Sequence, residues 1–279
     1  MLLTDTTSIV TRDKVQVLRI ENAFATAEIS LFGAQLLSFV PKHDNRERLW
    51  VSQHAIFDGC KPIRGGIPIC WPWFGPHQSD STLSAHGYVR TQDWQILSTE
   101  DTATSTNITL QPTTAVGDGF TGTAKLELVV SVGNQLSLQL HTSNLGDTPF
   151  TFNCALHSYF NINNINTCEL VGLTGQYSDK TRSYKIFDTP APYRLTEETD
   201  RVHIQTPKLL TINNFPIQTK IHSFGHDSIV VWNPWLQKST AMDDMQNHSY
   251  LTMLCVETAI TQGIEVMPGN SHILEQVIE

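Results

Sequence analysis

A histidine and a glutamate, each set in an apolar stretch about a hundred residues from the other, are the residues whose surroundings suggest chemistry. His157 closes the apolar run Phe152 to Leu156 and precedes Ser158, Tyr159, Phe160 and Asn161. Glu257 stands within Leu254-Cys255-Val256-Glu257-Thr258-Ala259. An imidazole beside an apolar strand is by itself an ordinary core residue, because it packs like an aromatic ring once both nitrogens find partners. A glutamate is different, since a carboxylate is almost never fully buried unless paired. Two groups that each cost several kcal/mol to bury alone point to one pocket holding an acid and a base.

The other chemistry-bearing residues exclude more than they add. Eleven histidines are scattered without a His-x-His or His-Glu-x-x-His pattern, so no metal and no cofactor are expected. Five cysteines, Cys60, Cys70, Cys154, Cys168 and Cys255, are odd in number and nowhere spaced as a knuckle, which argues against a disulfide framework or zinc site and for reduced, mostly buried thiols. A formal net charge of −9 with no basic patch argues against nucleic acid and anionic membrane. No apolar run approaches the roughly 18 residues of a spanning helix. The opening residues Met1-Leu2-Leu3-Thr4-Asp5 lack the pattern of a secretory signal, and a cytoplasmic location is expected.

The elements that must position the pair read as strands. Val15 to Leu18, Ala27 to Leu31 and Ala34 to Val40 alternate and are rich in β-formers. Leu126, Leu128 and Val130 alternate with polar residues up to Gly133-Asn134, where Leu136 to His141 returns, the clearest hairpin in the chain. Trp94 to Leu97, Ser228 to Trp232, Leu251 to Val256 and Gly263 to Met267 supply further strands. Gly172 to Asp200 reads as long polar loops. No stretch shows a 3.6-residue period and none repeats, so the 279 residues predict an all-β chain, one large antiparallel β-sandwich domain spanning 1–279. Arg64 to Pro76 is too dense in proline and glycine for a regular element. Its Trp71, Trp73 and Phe74 either plug the end of the sandwich or face a ligand.

Arg64-Gly65-Gly66-Ile67-Pro68, Trp71 to Pro76, His86-Gly87-Tyr88-Val89-Arg90, His157-Ser158-Tyr159-Phe160, Val231-Trp232-Asn233-Pro234 and Cys255-Val256-Glu257 together resemble the glucose-6-phosphate 1-epimerases. These hexose-6-phosphate mutarotases are a branch of the aldose 1-epimerase superfamily, and the motifs come in that family's order. The resemblance implies a galactose mutarotase-like sandwich with the sugar in a cleft on one sheet. It also implies His157 as general acid and Glu257 as general base, with Arg64, His86, Arg90 and Asp200 binding substrate. Asp179 is the alternative to Asp200. The chain departs from some members at Ala85, where they carry glutamine.

Interconverting anomers requires opening the sugar ring, with a base on the anomeric hydroxyl and an acid on the ring oxygen, and histidine and glutamate suit that work near neutral pH. A hexose 6-phosphate is the small-molecule partner this implies, and a monomer is expected. Its phosphate calls for guanidinium groups, Arg64 and Arg90 first, then Lys61, Lys180 or Arg201. His86 is expected to bind rather than to transfer protons. The rival readings are a non-catalytic carbohydrate-binding domain, a mutarotase of unphosphorylated aldoses, and a glycoside hydrolase. The last would need a second carboxylate flanking the bond.

Overall fold

A computed structural model describes residues 3–279. The chain opens with a meander of β1 (Thr7–Arg12), β2 (Val15–Glu21), β3 (Ala25–Ser30) and β4 (Leu36–Pro41), which forms a four-stranded sheet. A two-residue strand, β5 (Ile69–Cys70), sits within the Pro/Trp-rich segment. There follow β6 (Trp94–Asp101), β7 (Ser105–Pro112), β8 (Ala124–Gly133), β9 (Leu136–Asn144), β10 (Phe150–Leu156), β11 (Tyr159–Asn161) and β12 (Glu169–Val171). Then come β13 (Gln176–Asp179), β14 (Lys185–Asp188), β15 (Thr199–His203), β16 (Leu209–Asn214), β17 (Ile217–Phe224) and β18 (Ser228–Asn233). A short helix, α1 (Trp235–Thr240), precedes β19 (Met253–Val266) and β20 (Ser271–Ile278).

Two eight-stranded sheets make the sandwich. One runs β14-β13-β15-β18-β19-β10-β5 with β11 also paired to β19, and the other runs β12-β16-β17-β20-β9-β8-β7-β6. Strand β9 shows why the sequence folds this way: every second residue from Leu136 to Asn144 is buried, the two-residue period of a strand with one face on a core. Strand β18 is buried at all six positions and β19 at its first eight, as befits central strands covered on both faces. One apolar cluster runs through all three sheets, from Leu18 and Phe39 through Leu128 and Leu138 to Val256 and Ile260. Among the described residues no helix is long and apolar enough to cross a membrane.

The structure departs from the sequence reading between Gly172 and Asp200, where β13, β14 and the start of β15 replace the expected loops. They are short strands at and next to the sheet edge formed by β14, and their pairing comes from neighbours rather than from an apolar pattern of their own. The two segments Leu251 to Val256 and Gly263 to Met267 belong to one strand, β19.

Candidate active site

Strand register brings the histidine and the glutamate together. Leu156 pairs with Thr258 and Tyr159 with Cys255, so His157 falls opposite Glu257 and both side chains leave the same face. Their nearest atoms, His157 Nε2 and Glu257 Oε1, are 3.4 Å apart. That is long for a hydrogen bond, so the two groups face each other without a tight bond between them. The Glu257 side chain is 1% exposed and that of His157 13%, so the imidazole edge alone reaches the open side. The backbone around the pair is locked: His157 N–H donates to the Pro68 carbonyl at 3.0 Å, and Val256 N–H to that of Ser158 at 3.1 Å. Ser158 Oγ donates to Gln276 Oε1, while Gln276 Nε2 donates to Thr258 Oγ1, a buried polar bridge to the second sheet.

Aromatic rings hold the imidazole from the sides. Tyr159 stacks on it with centroids 4.9 Å apart, and Trp232 meets both rings edge-on at 6.1 and 5.9 Å. Trp50 stacks in turn on Tyr159. Burial holds His157 well below its ordinary pKa, with His86, Arg90 and Arg64 adding to the effect. Burial likewise holds Glu257 well above its own, with Lys180 opposing. Both shifts favour neutral groups, so the pair carries one proton between them. His157 Nδ1 and Glu257 Oε2 are buried without a hydrogen-bond partner, two unsatisfied atoms at the centre of the site.

His86 lies beside the pair, its ring 5.8 Å from that of His157 and 5.0 Å from Phe74. It adopts φ of 67°, a left-handed conformation rare for histidine. Its backbone N–H donates to the Gly75 carbonyl at 2.7 Å while its Nδ1 accepts from Gly75 N–H at 3.2 Å. With Nδ1 accepting, the proton of the neutral ring belongs to Nε2, which makes His86 a hydrogen-bond donor. Burial, then Arg90, Lys180 and Arg64, push its pKa down to about 3. It is therefore uncharged at neutral pH, in keeping with a binding role.

Three cations surround this group. Arg90, in a 3-10 turn over Val89–Thr91, spends Nη2 on the Ala85 carbonyl at 2.9 Å. Arg64 donates from Nε to Asp244 at 3.1 Å and from Nη1 to Tyr159 Oη at 3.1 Å. Lys180 Nζ lies 3.2 Å from Asp200 Oδ1 and 4.8 Å from the centroid of Phe74. Asp200 pairs with Trp232 across β15 and β18 and so shares the face of Cys255 and Glu257. Asp179 is on the opposite face, buried near Arg201 and accepting from Thr181, which leaves Asp200 as the carboxylate on the site side. Of the reserve cations Lys61, Lys180 and Arg201, only Lys180 reaches the site. Lys61 is exposed in a loop, and Arg201 is packed over Tyr177 and Tyr193 on the other face.

The Gly65-Gly66 turn serves the fold. A Cβ on Gly66 would lie 2.0 Å from the Leu36 carbonyl oxygen, and one on Gly65 2.4 Å from that of Trp50. The glycines thus let strand backbones close on one another and aim Arg64. Trp71 and Trp73 are core, Trp73 with its Nε1 donating to the Ser84 carbonyl, whereas Phe74 faces the site. Sequence reasoning missed Asp244, Tyr159 and Trp232 as site residues. For Tyr159 a signal existed, since it is two residues from His157 and strands alternate. Asp244 lies in an irregular stretch after α1 and gave none. Expecting no metal from linear spacing also missed that donor atoms of His157, Cys255 and Glu257 lie within 4.8 Å of one another. A separate hollow of about 1170 Å³ is lined by Glu47, Trp50, His54 and His248 among others and includes neither His157 nor Glu257.

The aldose 1-epimerase family model matches residues 16–279. An Escherichia coli relative, provisionally named glucose-6-phosphate 1-epimerase, is 30% identical over 251 residues, 88% of this chain and 84% of its own. A relative from Cenchrus ciliaris with the same provisional name is 34% identical over 260 residues, 87% of this chain and 78% of its own. A solved structure from Salmonella typhimurium, described provisionally as a mutarotase, superposes with a TM-score of 0.92 at 27% identity, covering 99% of this chain and 94% of that one. Galactose 1-epimerase from Lactobacillus acidophilus shares the fold, with a TM-score of 0.75 at 14% identity and 98% of each chain covered.

Proposed function

This chain belongs to the aldose 1-epimerase family, and we propose that it interconverts the α and β anomers of hexose 6-phosphates, glucose 6-phosphate foremost. The observation that carries the reading is the opposed His157 and Glu257, buried together and 3.4 Å apart. With the shared proton moved from Glu257 to His157 in the bound complex, Glu257 takes the proton of the anomeric hydroxyl while His157 delivers one to the ring oxygen. The C1–O5 bond breaks, C1 turns about C1–C2, and closure on the other face returns both protons. Each step moves one proton to or from a positioned group, and no cofactor enters the cycle. His86 donates from Nε2 to a sugar oxygen, and Asp200 accepts from a hydroxyl.

The phosphate belongs among Arg90, Lys180 and Arg64, whose positive charge converges on His86. A chain of net charge −9 must attract a dianion by such local means. Arg64 is already tied to Asp244 and Tyr159, and Lys180 to Asp200, which makes Arg90 the least committed of the three and the foremost phosphate ligand. The names of the relatives support the same substrate. All these residues come from one chain, so the site is complete in a monomer, and the five unpaired thiols fit the reducing cytoplasm.

Exchange between anomers of glucose 6-phosphate, followed by NMR magnetisation transfer, tests this directly. Catalysed exchange is expected with the parent protein, faster for the phosphate ester than for glucose. Arg90→Ala should lower kcat/KM for the ester by roughly tenfold or more, the value of one charge-assisted contact, with little change on glucose. Binding without exchange would instead mark a carbohydrate-binding domain, and equal losses on both substrates would place the phosphate elsewhere.

A further inference from the structure

Beside the acid–base pair, the floor of the site carries a buried thiol, Cys255, that the proposed epimerisation does not use. Cys255 stands two residues before Glu257 on β19, so its side chain leaves the same face, and its register partner Tyr159 is two residues past His157. One donor atom from each of His157, Cys255 and Glu257 lies within 4.8 Å of the other two. Cys255 and Glu257 are both fully out of water, and Glu257 Oε2 and His157 Nδ1 have no hydrogen-bond partner. An imidazole nitrogen, a sulfur and a carboxylate oxygen converging from rigid strands form a zinc-type donor set. Three protein ligands leave the fourth tetrahedral position open towards the substrate side.

The geometry and the charge both fit. With bonds of about 2.0 to 2.3 Å, tetrahedral ligand atoms sit roughly 3.3 to 3.8 Å from one another. The three side chains therefore need to close by about an ångström, within the reach of small χ adjustments. A thiolate and a carboxylate together neutralise a divalent ion. Of the nearby cations, Arg64 and Lys180 are already paired, with Asp244 and Asp200, which leaves Arg90 as the main opposing charge. Each ligand must shed its proton, so binding releases protons and strengthens as pH rises. Burial and Glu257 hold the Cys255 thiol well above its ordinary pKa, which opposes binding at neutral pH and carries that dependence to higher pH.

We propose that His157, Cys255 and Glu257 form an inhibitory binding site for a borderline-soft divalent cation of the zinc type, which silences the acid–base pair by occupying it. The metal is a regulator or poison here, not a cofactor, because it takes the two groups that must exchange protons with substrate. The inhibitory half of the proposal rests on the epimerase reading, while the binding half stands without it.

Cobalt(II) separates the two. In a Cys60→Ser background, which removes the one exposed thiol, added Co²⁺ should produce a thiolate-to-metal charge-transfer band that Zn²⁺ abolishes by displacement. Cys255→Ala should lose the band while retaining anomer exchange. Zn²⁺ should suppress exchange in the parent with an inhibition constant at least tenfold lower than in Cys255→Ala, and a chelator should restore it. A parent protein that gives no thiolate–cobalt band overturns the site, whatever the variant does. Equal zinc inhibition in parent and variant overturns the role of Cys255. A band without any measurable epimerase activity would instead uphold the site and refute the proposed reaction.

Discussion

Replacing Glu257 by glutamine should do two opposite things at once. The substitution keeps the shape of a side chain that is 1% exposed but removes its capacity to hold and release a proton. Loss of a general base costs roughly 10² to 10⁴ in rate, or about 2.7 to 5.5 kcal/mol in the barrier. Stability should move the other way. Burial raises the Glu257 pKa above the ordinary value, so above about pH 4.3 the folded chain holds a proton that the unfolded chain has released. Stability from this group is present below that pH and is lost as pH rises towards the folded-state pKa. Glutamine does not titrate and escapes the loss. The melting temperature of Glu257→Gln should match or exceed the parent's near pH 5 and gain on it towards pH 8, by about 2 °C for each kcal/mol recovered. Anomer exchange by NMR and melting by calorimetry at both pH values measure the two effects on one preparation. Because both groups serve one proton, His157→Ala combined with Glu257→Gln should fall little below either variant alone. Turnover within tenfold of the parent would remove Glu257 from the chemistry. A variant that melts lower than the parent at pH 8 would mean that the resting pair is an imidazolium facing a carboxylate, contrary to the neutral pair argued from burial.

Three further outcomes follow from the same geometry. Burial opposes a second proton on His157, so the acid limb of kcat/KM on unphosphorylated glucose should be centred below about pH 6.5, and a limb at or above that value would contradict the shift. A Cβ on Gly87 would lie 1.8 Å from the Trp71 carbonyl oxygen at φ of 75°, so Gly87→Ala should cost at least ~2 kcal/mol in denaturant unfolding, and an unchanged midpoint would show that the loop under His86 can shift freely. Gln276→Leu leaves Ser158 and Thr258 without their shared partner, which should cost about 1 to 3 kcal/mol and lower kcat more than it raises KM, whereas loss of stability with kcat intact would confine the bridge to packing.

The fold was most legible where one face of a strand meets core and the other meets water. Leu126, Leu128 and Val130 announce the β8 and β9 hairpin because the pleat and the apolar alternation share a period of two. That signal fails at both extremes of burial. The first eight residues of β19 are buried on both faces, so nothing in their apolar continuity says which side chains share the site. At the other extreme, β13 and β14 are four residues each, polar, and at a sheet edge. They are strands because β15 offers a ladder to β13 and β13 one to β14, and Lys180, next after β13, owes its place over Phe74 to that pairing.

The acid–base pair was legible for a different reason: chemistry that is costly to bury stands out against an apolar run. Burial cost, however, depends on a group's surroundings and not on its sequence neighbours, and the arginines show the difference. Arg64 and Arg90 look alike as guanidinium groups in the sequence, yet Arg64 is tied to Asp244, 180 residues away, and Arg90 to a carbonyl five residues away. A cation with a carboxylate already in place must break or share that pair to take a phosphate, whereas one held by a single carbonyl still has guanidinium donors to give. Charge at the site is therefore graded by partners that only the fold supplies. The grading puts Arg90 ahead of both Arg64 and Lys180, which Asp200 already holds, for the phosphate, and it makes Arg64, through Tyr159 stacked on His157, the residue that orients the acid.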